Sequence, residues 1–179
     1  MRSRIQYEDI IQEALVKIVP QIAPQNIRPA YQDYDIGGTT QSIESGIDTS
    51  FGFTPDDNFI YFTIRMDNTD AKPQITESGD ISIRREMTVY VYCYGKNSPA
   101  IATIISAVIR TNALLNFLEQ NDIYLQDTGS VDEMWELKNE QWFERHDFTF
   151  KINVNETITT KLVIDTAEEA PVHVETTGL

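Results

Sequence analysis

The chain predicts an α+β domain, with a twisted antiparallel β-sheet and two main α-helices packed on one face. Three observations carry this. Residues 4–19, and the run opened by Ser98-Pro99, place apolar side chains at helical spacing. Residues 81–94 and 142–154 alternate apolar and polar side chains over lengths suited to antiparallel neighbours. The order along the chain is helix, strands, helix, strands, with no internal repeat. One domain is expected over residues 1–165, with a loop or arm at 35–58, followed by a mobile C-terminal tail at 166–179.

In the first helix, Tyr7, Ile10, Ile11, Ala14, Leu15 and Ile18 share a face, and Glu8, Asp9, Gln12, Glu13 and Lys17 occupy the rest. Ser3 and Gln6 have capping-box spacing, and Pro20 ends the helix because it lacks an amide donor. Pro20, Pro24 and Pro29 then space out an extended stretch leading to Tyr31 and Tyr34. Residues 35–58 are rich in Gly, Ser, Thr and Asp and read as a functional arm or a pair of short strands.

Residues 59–67 alternate as a strand, and 67–80 read as a polar connection. In the long strand 81–94, Ile81, Ile83, Met87, Val89, Val91 and Cys93 define the apolar face, which Arg85 interrupts. After a turn at 95–97, Ser98 and Pro99 open the second helix, with Ile101, Ile104, Ile105 and Val108 as its stripe. Beyond Arg110 the apolar set changes phase to Leu114, Phe117 and Leu118, so the helix kinks, splits or is apolar on two sides. Strands follow at 123–125, weakly at 131–137, and strongly at 142–154, where Trp142, Phe148, Phe150, Ile152 and Val154 share one parity. Residues 157–164 form a last strand candidate.

Fourteen Lys and Arg residues against 28 Asp and Glu give a net charge of −14 in 179 residues, which argues against a nucleic-acid grip needing a dense basic surface. One cysteine and two histidines leave no intrachain disulfide and too few ligands for a Cys/His zinc site. No secretory signal or membrane span is expected: the longest apolar stretch, 100–109, ends at Arg110.

Enzyme motifs are not found. Cys93 lies on the apolar parity of a strand, and His146 and Asp147 are strand neighbours that point to opposite faces. The run 67–70 has two aspartates but lacks the glycine and glutamate of a calcium loop. Gly37-Gly38-Thr39-Thr40 has no phosphate-binding lysine. No catalytic residue, cofactor or metal is expected. The remaining candidates are interface residues. Arg84, Arg85 and Arg145 either pair on the sheet with Glu86, Glu144 and Asp147 or reach a neighbouring subunit. Tyr90, Tyr92 and Tyr94 either cover the sheet or face a partner.

The amphipathic first helix, the segment Pro29-Ala30-Tyr31, the strand 85–95 (Arg-Glu-Met-Thr-Val-Tyr-Val-Tyr-Cys-Tyr-Gly) running into a capped helix, and the later Glu144-Arg145-x-x-Phe148 occur in a characteristic order. Over residues 5–155 the chain resembles the neck and tail terminator proteins of tailed bacteriophages. The resemblance implies a virion protein, assembled in the host cytoplasm, that forms a ring, usually a hexamer. The ring caps the tail tube, meets tube and sheath proteins, offers a face to the head-tail connector and passes DNA through its centre without specific binding. Leu114, Phe117 and Leu118 are then the candidate subunit contact, and charging Leu118 is expected to spare the fold and weaken the ring. Competing readings are another connector or tail-tube subunit, a cation- or small-molecule-binding enzyme domain using Asp67, Asp70 and His146, and an acidic mimic that binds a basic host protein.

Overall fold

The computed structural model describes residues 4–30, 35–36, 39–40, 54–66, 74–76, 80–138 and 140–158. In chain order the elements are α1 (Arg4–Ile18), a 3-10 turn (Pro24–Asn26), β1 (Ile27–Pro29), β2 (Asp35–Ile36), β3 (Thr39–Thr40), β4 (Phe59–Met66), β5 (Gln74–Ile75) and β6 (Ile81–Tyr94), followed by α2 (Ser98–Val108), α3 (Asn112–Glu119), β7 (Ile123–Lys138) and β8 (Gln141–Ile158). The expected C-terminal tail, most of the 35–58 arm, Ser3, Asp67, Asp70, Asn139 and the end of the last strand candidate lie outside the described residues.

Five strands form the order β1-β4-β6-β8-β7, with β5 added to the start of β6. The fold is α+β as expected, but the sheet is mixed, because β1 runs parallel to β4, Ile27 opposite Ile60 and Pro29 opposite Phe62. Pro29 has no amide to donate, and an edge position tolerates that. The two candidates 123–125 and 131–137 are one strand, β7, with register shifts between Leu125 and Asp127 and between Thr128 and Val131. These bulges break the alternation that sequence periodicity relies on.

One face of the sheet carries Ile60, Phe62, Ile64, Met87, Val89, Val91, Cys93, Phe148, Phe150, Ile152 and Val154, all buried beneath the helices. Tyr7, Ile11, Ala14, Leu15 and Ile18 of α1 enter this core at the predicted spacing. Each fully buried large side chain contributes about 2 kcal/mol gross, which chain ordering largely offsets.

The change of apolar phase after Arg110 is a true break. α2 and α3 are separate helices bent by 71°. Thr111 ends α2, its Oγ1 donating to the Val108 carbonyl at 2.7 Å, and its extended backbone (ψ 147°) starts α3 on a new course. The turn brings Leu114 and Leu118 into the same core as Ile101 and Ile105. No single helix among the described residues is long and apolar enough to cross a membrane.

Arg85, on the core parity of β6, is answered from β8. Its Nε lies 3.0 Å from Glu156 Oε2, an ion contact rather than an aligned hydrogen bond. The Tyr7 hydroxyl of α1 donates to Glu156 Oε1 at 3.1 Å. The Glu156 side chain is only 3% exposed, so removing its cation strands a buried carboxylate. Arg85→Met is expected to cost about 3 kcal/mol in denaturant unfolding. Tyr7→Phe, which removes one neutral donor, is expected to cost about 1–2 kcal/mol.

Candidate assembly interface

The sheet face turned away from the helices begins as an aromatic floor. Phe59 and Tyr94 sit opposite each other on β4 and β6 and stack with centroids 4.7 Å apart. Tyr61 meets both rings edge-on. Phe143 of β8 joins them in a buried cluster, with Tyr92 packed alongside. Tyr90, next along β6, is half-buried between Thr63 and Thr149 in the register.

Arg145 is tied into this floor. Its Nη1 donates to Glu136 Oε2 at 3.3 Å and its Nη2 to Asp147 Oδ2 at 2.8 Å. Its Nε also lies 2.8 Å from Asp147 Oδ1, out of line for a hydrogen bond. The guanidinium carbon sits 5.2 Å from the Tyr92 ring centroid, a cation–π distance. Glu136 also accepts from the Tyr94 hydroxyl at 2.9 Å. Burial, then the nearby Glu136 carboxylate, push the Tyr94 phenol up. Burial also pushes the Asp147 carboxyl up, against the hydrogen bond and charge of Arg145.

Pairing between β6 and β8 ends at Tyr94 and Arg145, whereas β7 and β8 continue to pair as far as Lys138 and Gln141. The last rows of this hairpin therefore project beyond the sheet as a two-stranded ribbon. One ribbon face is anchored by buried Phe143 and by Glu136. The other carries Trp135, Leu137 and Trp142, which are 58%, 55% and 58% exposed. Leu137 and Trp142 are register partners, and Trp135 lies opposite Glu144. A two-stranded ribbon is marginal in water by itself, and two tryptophans and a leucine presented together on a projecting element form an exposed apolar patch, a candidate contact surface.

A family model described as Phage neck terminator protein matches residues 8–178. The chain belongs to the phage neck terminator protein family. It is accordingly a structural component of a bacteriophage neck. No match was found among curated proteins.

Ser98 Oγ and His146 Nδ1 are 3.0 Å apart, but Glu144 approaches the same ring nitrogen, at 3.9 Å. A relay would need the carboxylate on the opposite nitrogen, and Ser98 is fully buried. The pair fastens the start of α2 to β8. Cys93 is buried, and burial pushes its thiol up, so it is a core side chain. Among the described residues no group of three or more His, Cys, Asp or Glu side chains is placed to hold a metal ion.

The interface candidates are redistributed. Leu114 and Leu118 are buried in the core and cannot serve as the surface stripe expected of them, because the bend at Thr111 turns them inward. Phe117 is half-buried under the Lys17 ammonium, 4.2 Å from its ring centroid. Tyr94 is buried, and Arg85 and Arg145 are engaged within the chain. Arg84 stands exposed on β6. Sequence alone does not single out Trp135, Leu137 and Trp142 as contact residues. Trp142 has core parity, but it lies past the last row that β6 contributes. The available signal was the length of the 123–154 hairpin relative to strand 81–94: a longer hairpin overhangs its neighbour.

Proposed function

We propose that the chain is one subunit of a closed ring, a hexamer, that caps the tail tube, stops its polymerisation and joins it to the head-tail connector. DNA passes through the central channel without specific binding. The subunits assemble in the host cytoplasm and remain in the virion neck. The observation that carries this reading is the projecting ribbon with Trp135, Leu137 and Trp142 exposed on one face, in a member of a neck terminator family. Such a surface is stabilised by removal from water, and cyclic closure removes it on every subunit at once. The net charge of −14 supports a channel whose acidic wall repels phosphates.

Electron microscopy of the purified protein with tail-tube protein tests the reading. The expected result is single rings seated at one end of arrested tubes. Stacks of the protein on itself would make it a tube subunit instead, and tubes that grow unchecked would contradict a capping role.

A further inference from the structure

Four rows of the β7–β8 hairpin, from Trp135–Glu144 to Lys138–Gln141, lie past the last row shared with β6. At about 3.3 Å per residue the ribbon extends roughly 13 Å beyond its neighbour. Its turn does little to stiffen it. Glu140, at the tip, takes φ of +64°, a strained conformation for a residue with a Cβ, where two-residue hairpin turns favour glycine. A free two-stranded ribbon also twists more than a wider sheet does. The direction in which Trp135, Leu137 and Trp142 face is therefore set from outside the ribbon.

One projecting row reaches back to set it. Glu136 and Phe143 are register partners, and their side chains point away from the tryptophan face because strand neighbours alternate. Phe143 is 1% exposed, in the cluster with Phe59, Tyr61 and Tyr94. Glu136 accepts from the Tyr94 hydroxyl at 2.9 Å and from Arg145 Nη1 at 3.3 Å. The Tyr94 bond joins β7 to β6 across the intervening β8, so it resists a swing of the whole ribbon, which hydrogen bonds within the hairpin do not. Arg145 completes the arrangement. Its Nη2 lies 3.1 Å from Met134 Sδ on β7 and donates to Asp147 on its own strand, and its guanidinium sits over the Tyr92 ring of β6. A single guanidinium thus touches all three strands at the root of the ribbon.

We infer that Glu136 is a positioning residue: clamped between Tyr94 and Arg145, it fixes the orientation of the ribbon and presents the Trp135, Leu137 and Trp142 face ready-formed for docking. A surface already held in its bound geometry loses less freedom on association. The clamp is a property of the single chain; its use in assembly rests on the ring reading.

Amide hydrogen exchange of the full chain tests the clamp. Glu136 is on a half-exposed position, and Tyr94→Phe keeps the ring in its stack, so both Glu136→Ala and Tyr94→Phe are expected to fold. Each is expected to speed exchange of the hydrogen-bonded amides in the projecting rows by about tenfold relative to those of Val89 and Phe150, as loss of a hydrogen bond to a charged group implies. Glu136→Gln keeps an acceptor oxygen and is expected to restore most of the protection. Ribbon amides that do not change, an equal change in ribbon and core, or Glu136→Gln exchanging as fast as Glu136→Ala would each overturn the clamp. In mass photometry, Glu136→Ala is expected to need a concentration about tenfold higher than the parent to assemble, the cost of ordering a loosened surface. Assembly at the parent's concentration despite a loosened ribbon would overturn the positioning role. A parent chain that never assembles removes the ring reading, while the exchange measurement still decides the clamp.

Discussion

Leu118→Asp is expected to yield no folded protein. Leu118 is 1% exposed, in a layer where α1, α3 and β8 meet through Ile11, Ala14, Leu15, Ile18, Leu114 and Phe150. An aspartate there finds only apolar neighbours. It either stays charged without a partner or takes up a proton in an apolar site, and both are costly. On the order of 5 kcal/mol is enough to abolish the native state of a marginally stable domain. Leu118→Ala, which leaves a cavity but no charge, is expected to fold with a loss of about 3 kcal/mol, a fall in melting temperature of about 10 °C. Circular dichroism of both variants checks this. A Leu118→Asp protein that keeps the parent melting curve and loses only assembly would return α3 to the surface and contradict the packing described above.

Gly95→Ala is the second large effect. Gly95 follows β6 and leads into α2 with φ of +97°, a conformation that side-chain-bearing residues rarely adopt. A Cβ there would lie 2.2 Å from the Asp57 carbonyl oxygen and 2.9 Å from Asn58 Oδ1. The neighbouring chain has little room to yield. Asn58 Oδ1 accepts from the Asn97 amide at 3.0 Å, and Asp57 closes its own turn by accepting from the Thr54 amide and hydroxyl at 2.8 and 2.9 Å. Those two bonds, backbone first, hold the Asp57 carboxyl below its usual range. The Ser98 amide also donates back to the Gly95 carbonyl, at 2.9 Å. Strain and clash together are expected to cost about 4 kcal/mol, read as a loss of soluble protein or a melting temperature lowered by more than about 10 °C. Lys96→Ala, on an exposed residue of the same turn, is expected to change stability by less than about 0.5 kcal/mol. Equal behaviour of the two variants would mean that the turn is looser than its contacts imply.

Much of this architecture is legible in the sequence, where local periodicity and burial agree. The spacing of Tyr7, Ile11, Leu15 and Ile18 defines the buried face of α1, and the alternation through Met87, Val89, Val91 and Cys93 defines that of β6. Contacts set by distant parts of the chain are less legible. Three residues, Ile27 to Pro29, carry no signal for parallel pairing with β4. Arg85 reads as a break in an apolar face because its answer, Glu156, lies on another strand. Leu114 and Leu118 show a change of phase, but the direction of the bend at Thr111 decides whether that phase faces outward or inward. The ribbon fails for a different reason. Trp142 has the same parity as Phe148 and Phe150, and only the ends of β6 and of the helices determine that one of them is uncovered.

The account depends on apolar surface at Trp135, Leu137 and Trp142 being covered by other copies of the chain. Sedimentation of the purified protein across a wide concentration range tests this most directly. A single discrete species at a fixed whole-number multiple of 20.5 kDa, six-fold for the proposed hexamer, is the predicted result. A species of 20.5 kDa at every concentration would contradict it.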